Sequence, residues 1–578
     1  MPKKSISDKL WLITDPEIEL ARTLAAQLGI SPLTAQLLIN RNIRTVEDAQ
    51  FFLKPSLAGL CDPAQLPGVE KAAERIADAV RRGENIVIYG DYDADGTAAI
   101  GLLVRCLKMI GAEVGYYVPS RLDEGYGLNM EAMARLIERR SNLVVSVDCG
   151  VTAFEEAEFL ASKGVDLIIT DHHEPMERLP RAFAIVNPKV AGPEQARNTS
   201  GVGVAFKLAW AIMQQFSQSS RVSDEFRDFL CDALSLVALG TIADVVPLTG
   251  ENRAMVSYGL GVLSDTRMPG LRALVDSAGL GGKMITPHQV AFQLAPLLNA
   301  AGRMSDARTA VELMITDDTL TAQNLAAELE SHNAERRRIG EQMLAEAREE
   351  ALGFRDALAL VLGRREWHSG IIGIVAGKLA EEFNKPAIVF SVEDELCQGS
   401  ARSTPELNIF EALKNVSDLL LTFGGHSQAA GLKIPTARLA DFRARFSAEV
   451  ARALGGVAPE RKLRVDAEVR LETLSRACVE EIERLAPFGA GNPRPVLAAS
   501  AVEIIGQPKR MGGDGQHASF FVRSAQASLR VVAFNFPHDC FARLERGNSC
   551  DIAFEARDTL WNNTSSVELF LKDIAFEQ

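Results

Sequence analysis

The clearest pattern along the chain is an alternation of short apolar runs and amphipathic segments between about residues 68 and 265. The apolar runs are rich in β-branched residues, which is typical of strands buried on both faces of a parallel sheet. The segments between them place alanine and isoleucine at helical spacing. We therefore predict a doubly wound α/β domain with these strands and helices: helix 69–82, strand 86–89, helix 97–110, strand 143–147, helix 153–163 and strand 166–170.

The other parts of the chain show different patterns. Residues 1–60 carry two small capped helices, at 31–39 and 45–52. A long, polar, helix-favouring run from about 309 to 351 predicts a solvated helix that joins two domains. Short apolar runs with glycines return at 354–455 and predict a second α/β domain, whereas 456–578 alternates strands with short loops, as in a small OB-like β-barrel.

A chain of 578 residues is too long for one core, so several domains are expected. We predict an N-terminal helical segment (1–60), a first α/β domain (61–265), a linker with the long connecting helix (266–353), a second α/β domain (354–455) and a C-terminal OB-like barrel (456–578). With 47% apolar and 24% charged residues, the composition is that of a soluble globular protein.

Cysteine usage and hydropathy indicate where the protein works. The eight cysteines are scattered without a CxxC pair, which argues against a zinc ribbon or a disulfide framework. No apolar leader is visible, and no apolar run approaches the ~20 residues of a membrane span. We expect a cytoplasmic protein without membrane contact. The net charge of −14 argues against a generic polyanion binder, but it does not exclude an enzyme with one basic groove.

Acidic residues follow three of the predicted strands. Asp91, Asp93 and Asp95 follow the first, Asp148 follows the second, and Asp171-His172-His173 follows the third. Because parallel strands end at one edge of a sheet, these side chains can converge. Carboxylates this close repel one another unless a cation lies between them. The alternatives are a solvated acidic turn for the aspartates and a surface pair for the two histidines.

Asp244 lies inside the apolar run 236–248. A buried carboxylate is unfavourable unless it is paired or binds metal; the alternative here is a helix cap or a turn. Carboxylate and imidazole ligands without thiolate suit Mn²⁺ or Mg²⁺, and an aspartate that bridges two ions fits a two-metal phosphoesterase site.

The segments 90–96, 147–150, 171–173 and 240–248 resemble the four motifs of the DHH phosphoesterase superfamily, most closely those of its single-stranded-DNA-specific exonucleases. The resemblance implies that Asp93, Asp95, Asp148, His172 and Asp244 bind two metal ions, with Asp148 as the bridge. It implies that Asp91 is a ligand or orients one, and that His173 faces the scissile phosphate. Tyr89 stands where many members have a histidine, which leaves one ion with fewer protein ligands.

Several other residues are candidates for binding DNA. Arg121 could hold a phosphate or form a surface salt bridge. Arg303 is flanked by small residues that allow close approach of a ligand, so we favour a phosphate contact over a structural ion pair. Residues 354–455 resemble the DHHA1 domain of the superfamily, which implies substrate-binding roles for His368, Arg402 and His426; the alternative for His426 is a turn histidine that caps its own helix. The glycine-rich turn before the helix at 367–378 is a candidate phosphate cradle.

Two further groups of residues could contact single strands. Aromatic and basic side chains of the barrel are one group, although most of its phenylalanines could equally be core: Lys509, Arg510, Phe521, Arg530 and Phe534. The run 336–338 of three arginines could face nucleic acid or simply be solvated.

The function predicted from these features is a Mn²⁺- or Mg²⁺-dependent exonuclease on single-stranded DNA that releases 5′-mononucleotides. Its 5′→3′ direction, its place in DNA recombination and repair, and partners such as a single-strand-binding protein and a helicase are implied by the resemblance alone. We expect a monomer. One alternative is a DHH phosphoesterase for short oligonucleotides or cyclic dinucleotides. The other is an inactive scaffold that binds single strands without metal. The presence of all five predicted metal ligands argues against this alternative.

Overall fold

The computed structural model describes residues 5–121, 124–545, 547–561 and 564–576. The chain divides into two compact units, Leu57–Pro459 and a second unit in which residues up to Ser56 associate with the segment from Glu460 onwards. The first four residues of the predicted N-terminal segment lie outside the described residues.

The strands are, in chain order, β1 Lys9–Ile13, β2 Ile86–Gly90, β3 Val114–Tyr117, β4 Leu143–Val147, β5 Asp166–Thr170, β6 Ala184–Val186, β7 Leu360–Arg364, β8 Ala387–Val392, β9 Leu396–Arg402, β10 Thr422–Gly425, β11 Ala429–Pro435, β12 Arg461–Val465, β13 Ala467–Glu468, β14 Leu497–Met511, β15 His517–Ser524, β16 Ala527–Ala533, β17 Ser549–Trp561 and β18 Thr564–Phe576.

The α-helices are, in chain order, α1 Ile18–Leu28, α2 Pro32–Ile39, α3 Val46–Leu53, α4 Val69–Arg82, α5 Ala94–Met109, α6 Met130–Glu138, α7 Phe154–Ser162, α8 Pro188–Ala191, α9 Gly201–Ser217, α10 Asp224–Ala243, α11 Gly250–Ser264, α12 Pro269–Ser277, α13 Pro287–Gln289, α14 Ala295–Met304, α15 Arg308–Ile315, α16 Thr319–Ala351, α17 Ile372–Phe383, α18 Ile409–Lys414, α19 Leu439–Ala453 and α20 Arg476–Glu483.

The predicted parallel sheet is confirmed. Among the described residues it contains five strands in the order β3-β2-β4-β5-β6, and every neighbouring pair is parallel. Alternate residues of β2 enter different cores: Ile86 and Ile88 pack with α4, α5, α9 and α10, whereas Val87 and Tyr89 pack with α6 and α7. Helices therefore cover both faces of the sheet, which explains why its strands are continuous apolar runs.

The connecting helix α16 begins at Thr319 and ends at Ala351. Its first half contributes Ala322, Ala326 and Leu329 to the core of the parallel-sheet domain. Its second half contributes Met343, Leu344, Ala347 and Ala351 to the core around α17. One helix therefore belongs to two cores, which fixes the two α/β domains of this unit to each other. The second sheet has the order β10-β11-β9-β8-β7, in which only β7 and β8 are parallel among the described strands.

The C-terminal strands form the predicted barrel. β14, β15, β16, β18 and β17 pair in succession, and β17 returns to pair with β14, which closes a five-stranded barrel within the described ranges. The predicted helices near the N-terminus, α2 and α3, are present and begin after the capping side chains of Ser31 and Thr45. They pack into the barrel core, and β1 pairs in parallel with β12. The association of these segments was not predicted.

No helix in the described parts of the chain combines the length and the apolar character that crossing a membrane requires.

A buried ion pair lies within the parallel-sheet domain. Lys207 of α9 is fully buried, and its Nζ lies 3.0 Å from Glu251 Oε1 and donates to Cys61 O at 2.7 Å. Replacing Glu251 by Gln should lower the free energy of unfolding by about 3–5 kcal/mol, because it leaves a buried charge without its partner. Denaturant titration of the metal-free protein measures this. The double variant Lys207→Met/Glu251→Leu should be less destabilised than the single one; equal or greater destabilisation would show that the pair's charge balance is unimportant.

Candidate active site

The loop after β2 and the first turn of α5 place three carboxylates, Asp91, Asp93 and Asp95, at the carboxyl edge of the parallel sheet. Asp93 caps α5, and its Oδ1 accepts hydrogen bonds from the backbone N–H groups of Asp95 at 2.9 Å and Gly96 at 3.0 Å. Asp95 accepts from the N–H groups of Gly201 at 2.7 Å and Val202 at 3.0 Å, which begin α9. The helix N-terminus therefore orients Asp95, and both aspartates are fixed before any ligand binds.

Residues from three other elements meet these carboxylates. Asp148 follows β4, His172 follows β5, and Asp244 is the C-cap of α10. His172 Nε2 lies 3.1 Å from Asp148 Oδ1 and 3.5 Å from Asp244 Oδ2. Asp244 thus has the helix-cap position that was given above as the alternative to metal binding. Its carboxylate nevertheless lies next to His172, so the cap position does not exclude metal binding.

Two glycines allow the helices to approach the carboxylates this closely. A Cβ atom at Gly201 would lie 2.4 Å from Asp148 Oδ1, and one at Gly240 would lie 2.4 Å from Asp95 Oδ1. Any other residue at these positions would push the helix and the carboxylate apart. The backbone of α9 and α10 therefore forms part of the wall of the site.

Groups of three potential ligand atoms lie within 4.8 Å of one another: Asp91–Asp93–Asp148, Asp95–His172–Asp244 and Asp148–His172–His173. The structure thus brings together every residue for which the sequence predicted metal binding. Asp148 belongs to two of these groups. Asp148 Oδ1 and His172 Nε2 are buried and make no hydrogen bond with any described residue. Two such unsatisfied atoms 3.1 Å apart fit a shared cation.

The pKa values of these groups also indicate that the buried cluster is unfavourable without cations. Burial, followed by the charge of neighbouring carboxylates, raises the pKa of Asp91, Asp95 and Asp148 well above the usual range. Burial and the charge of Asp93 raise the pKa of Asp244 to about 7. Burial and neighbouring His173 lower the pKa of His172 to about 3, so this imidazole is neutral and able to bind metal. The cluster therefore requires either protons or metal ions.

Asp171, which was not among the predicted ligands, orients the histidines. Its carboxylate accepts from the N–H groups of Val151 at 2.9 Å and His172 at 2.7 Å, and Oδ1 lies 2.7 Å from His173 Nδ1. Burial alone would lower the pKa of His173, but the hydrogen bond and charge of Asp171 outweigh it and raise that pKa. In the sequence, the position of Asp171 directly before the two histidines could have indicated this orienting role.

Two tyrosines near the site have different roles. Tyr89 is buried, donates to Gly127 O at 2.8 Å and stacks on Tyr117 at 5.3 Å, so it does not replace the missing histidine ligand. Tyr126 is 52% exposed, and its hydroxyl lies 3.2 Å from His173 Nδ1. Tyr126 was missed because nothing in the sequence links its loop to His173.

Four arginines gather beside the carboxylates. Arg121 lies over the ring of Tyr92 at 5.0 Å, Arg303 donates to Gly370 O at 3.1 Å, and Arg402 donates to Ser400 Oγ at 3.1 Å. Burial, followed by the charges of Arg121, Arg336 and Arg402, lowers the pKa of Arg303 to about 9. None of the four forms an ion pair with a described carboxylate. Among the described residues, Arg121 and Arg303 therefore lack the acidic partner that a salt bridge requires. Guanidinium groups that converge without carboxylate partners form a site for an anion.

The arginine cluster (Arg121, Arg303, Arg336 and Arg402) directly adjoins the acidic loop. Asn299 Oδ1 of α14 accepts from Ala94 N at 2.8 Å, which ties the helix that carries Arg303 to the loop. Burial and Asp91 raise the pKa of Tyr92 to about 12, while Arg121 and Arg303 oppose this change. Tyr92 therefore lies between the acidic and basic groups.

The remaining predicted DNA-binding residues lie in three places. His368 Nδ1 accepts from Gly370 N at 3.1 Å, in the turn before α17 and next to the arginine cluster. His426 is exposed in the turn between β10 and β11; no helix begins there, so the alternative role as a helix cap is wrong. Lys509 and Arg510 lie on β14 of the barrel, in the other unit, where Lys509 is exposed and Arg510 lies over Phe541 at 4.2 Å.

Of the other candidates on the barrel, the two phenylalanines are exposed to solvent, whereas Arg530 makes a contact within the barrel. Phe521 is 46% exposed and Phe534 is 58% exposed, so neither is a core residue. Arg530 Nη1 instead donates to Glu568 Oε1 at 2.7 Å.

Three family models match the chain: "DHH family, N-terminal domain" over residues 85–241, "DHHA1 domain" over 356–452 and "RecJ OB domain" over 465–573. A curated relative, the single-stranded-DNA-specific exonuclease RecJ of Bacillus subtilis (strain 168), is 37% identical over 574 residues, which cover 98% of this chain and 71% of the relative. The chain belongs to the RecJ family. RecJ of Escherichia coli (strain K12) is 34% identical over 498 residues, which cover 83% of this chain and 85% of that one.

Solved RecJ structures agree with this assignment. The structure of RecJ in complex with Mn²⁺ from Thermus thermophilus matches with a TM-score of 0.85 and 32% identity, over 99% of this chain and 80% of that one. The Mg²⁺ complex from the same organism matches with a TM-score of 0.79 and 31% identity, over 98% and 78% of the two chains. The predicted resemblance and fold class are confirmed.

Proposed function

We propose that this member of the RecJ family is a single-stranded-DNA-specific exonuclease that hydrolyses phosphodiester bonds with two divalent metal ions, Mn²⁺ or Mg²⁺. The observation that carries the proposal is the juxtaposition of the buried carboxylate–histidine cluster with four arginines that lack carboxylate partners among the described residues. The names of the relatives and the metals in the Thermus structures support the same activity. The 5′→3′ polarity of this proposal is carried over from the family.

The residues that would hold the ions are Asp91, Asp93, Asp95, Asp148, His172 and Asp244. Their donor set of oxygens and one neutral imidazole suits Mn²⁺ or Mg²⁺. Two ions supply a nucleophile from water near neutral pH and neutralise charge that develops on the phosphate. Asp148 and His172 each belong to two of the ligand groups, and Asp148 is the candidate bridge because a carboxylate has two oxygens to share between ions.

We assign His173 to the scissile phosphate. Asp171 holds His173 Nδ1 at 2.7 Å, which leaves Nε2 to point away from this carboxylate. The raised pKa of His173 favours the protonated ring, which can donate a hydrogen bond from Nε2 to a phosphate oxygen. Asp171 then acts as a positioning residue that fixes the orientation of the ring.

The arginine cluster is the proposed site for the phosphate at the end of the strand. His368 and His426, which lie on the same domain as Arg402, are proposed as further contacts. A strand whose terminal phosphate is held beside the metal site presents its first linkage for cleavage. This arrangement explains why the product would be a mononucleotide rather than a longer fragment. In the other unit, the barrel would provide a separate contact with single strands through Lys509, Arg510 and exposed phenylalanines.

The decisive experiment uses 5′-labelled single strands of increasing length, the matching duplexes and cyclic dinucleotides, with Mn²⁺ or Mg²⁺. We expect mononucleotide products from long single strands and little cleavage of blunt duplex. Activity restricted to the shortest oligonucleotides or to cyclic dinucleotides would establish the alternative phosphoesterase instead. The match of residues 465–573 to the RecJ OB domain favours the exonuclease.

The resemblance extends to the cellular setting, and we propose the same for this chain: a cytoplasmic monomer in DNA recombination and repair that works with a single-strand-binding protein and a helicase. Sedimentation of the purified protein, and its co-purification with candidate partners from native cells, test these points separately from the activity.

Metal affinity should rise with pH between 6 and 8. Asp244 has a pKa of about 7 without metal, so below pH 7 a proton must leave before an ion binds. His172, with a pKa of about 3, is already neutral and adds no pH dependence in this range. Asp244 should therefore contribute up to about tenfold per pH unit below 7 to the Mn²⁺ dissociation constant, and the raised pKa values of Asp91, Asp95 and Asp148 should add to this dependence. Calorimetric titration measures it; an equally steep dependence in Asp244→Asn would assign the proton to another group.

Lys509→Gln should weaken binding of single-stranded DNA and reduce the slope of log K against log salt by about 0.7, the contribution of one phosphate contact on a single strand. Fluorescence anisotropy at several salt concentrations measures this slope. Lys54→Gln is the matched control, since Lys54 lies in the same unit outside the barrel. Equal slopes for the two variants would remove Lys509 from the DNA-binding surface.

A further inference from the structure

A groove adjoins the arginine cluster on the side of the connecting helix. It encloses a cavity of about 790 Å³ between the start of α14, the middle of α16 and the first turns of α17. Its lining includes one aromatic ring, three cations and two isoleucines: Phe292, Arg336, Arg337, Ile371, Ile374 and Lys378. We call it the helix groove. The metal centre described above contributes none of these residues.

The aromatic ring of the helix groove is held out into solvent. Phe292 lies on a π-helical turn, Val290–Leu294, whose end residues are fully buried while Phe292 itself is 69% exposed. The ring of His288 lies 4.6 Å away, tilted by 35°. π-helical turns are rare and frequent at functional sites. An exposed ring on such a turn provides a flat surface on which a nucleobase can stack.

The cations of the helix groove lack carboxylate partners. Arg336, Arg337 and Lys378 form no ion pair within the described ranges, whereas the adjacent Arg338 pairs with Glu335 at 2.7 Å. Glu330 and Glu341 also line the cavity, so the charge of the lining is net positive. An aromatic ring next to cations without carboxylate partners matches a ligand that carries both a base and a phosphate.

The helix groove is continuous with the arginine cluster. Arg336 belongs to both, and its charge lowers the pKa of Arg303. Ile371 lines the groove directly after Gly370, whose carbonyl accepts the hydrogen bond of Arg303. Arg303 therefore lies between Arg336 and Arg121, and Arg121 borders the carboxylates through Tyr92. A nucleotide released at the metal centre would meet the helix groove next to the cluster.

We propose that the helix groove binds the released nucleoside 5′-monophosphate, with its base on Phe292 and its phosphate near Arg337 and Lys378, which are not part of the arginine cluster. This inference rests on the proposed exonuclease function. A bound product at a second position would slow further turnover without competing directly with the strand. Inhibition by deoxyadenosine monophosphate (dAMP) should therefore be mixed rather than purely competitive.

The test compares Phe292→Ala with Met284→Ala, an equally exposed apolar residue of the same unit that lies outside the groove (73% exposed). Loss of base stacking should raise the noncompetitive inhibition constant of dAMP about tenfold in Phe292→Ala and leave it within about twofold of wild type in Met284→Ala. Arg337→Gln should raise the same constant and make it less sensitive to salt.

Direct binding of dAMP to the metal-free protein, measured by calorimetry, should weaken in Phe292→Ala and Arg337→Gln and should stay near the wild-type value in Met284→Ala. Purely competitive inhibition, or equal constants in Phe292→Ala and Met284→Ala, would overturn the groove as a product site. That result is distinguishable from failure of the proposed function, in which the wild-type protein itself would not cleave single-stranded DNA.

Discussion

Replacing Asp148 by Asn is expected to reduce cleavage of single-stranded DNA by at least about 10³-fold, since removing even one charge-stabilising group from a hydrolytic site costs on the order of 10²–10³ in rate. Asp148 is 2% exposed and belongs to two of the ligand groups, so its loss affects both proposed ions. Its backbone has a φ of 59°, a conformation that Asn adopts readily. The variant therefore changes charge with little change in geometry.

Two measurements separate a catalytic loss from a structural one. Binding of single-stranded DNA should persist, because the arginine cluster is intact. The thermal midpoint of the metal-free variant should be at least that of wild type, because one of several repelling carboxylates has been removed. Asp228→Asn, which alters an aspartate with 77% side-chain exposure in the same unit, is the control and should retain full activity. An Asp148→Asn protein with normal turnover would place the active site elsewhere.

The second large effect is expected from Arg303→Gln. Charge-assisted hydrogen bonds contribute about 1.5–3 kcal/mol, so KM for a 5′-phosphorylated strand should rise by about 10–100-fold, with a smaller change in kcat. The difference between 5′-phosphorylated and 5′-hydroxyl strands should largely disappear. Arg303→Lys keeps the charge but not the forked geometry, and we expect only partial recovery.

Steady-state kinetics on matched 5′-phosphorylated and 5′-hydroxyl strands provide the measurement. Arg338→Gln is the control on the connecting helix, since Arg338 pairs with Glu335 and is not part of the arginine cluster. If Arg303→Gln lowers activity equally on both strands, Arg303 holds the two α/β domains in place through Gly370 rather than binding the terminal phosphate.

Much of the fold could be read from local periodicity. β4 and β5 begin and end where the apolar runs do, and α4 coincides with the amphipathic segment. These elements are predictable because burial on both faces or on one stripe leaves its period in the sequence. The second α/β domain was predicted from residue 354, whereas its first strand begins at Leu360, after the 3₁₀ turn Leu352–Phe354.

Other features depend on contacts between distant residues. β1 pairs with β12, more than 400 positions away, so no local signal connects the N-terminal segment to the barrel. The sequence named Arg121, Arg303 and Arg402 separately, and only the structure shows that they surround one site together with Arg336. Asn299, Tyr126 and the N–H groups of α9 were missed for the same reason.

The order of residues along the chain was enough to show which side chains are available for chemistry, because acids that follow buried parallel strands must lie at one edge of the sheet. How these side chains are held depends instead on long-range packing. Asp148 Oδ1 and His172 Nε2 end up buried, 3.1 Å apart and without hydrogen bonds to described residues, since the backbones of α9 and α10 exclude water from around them. Folding thus converts a set of ordinary aspartates and histidines into a site that needs a cation.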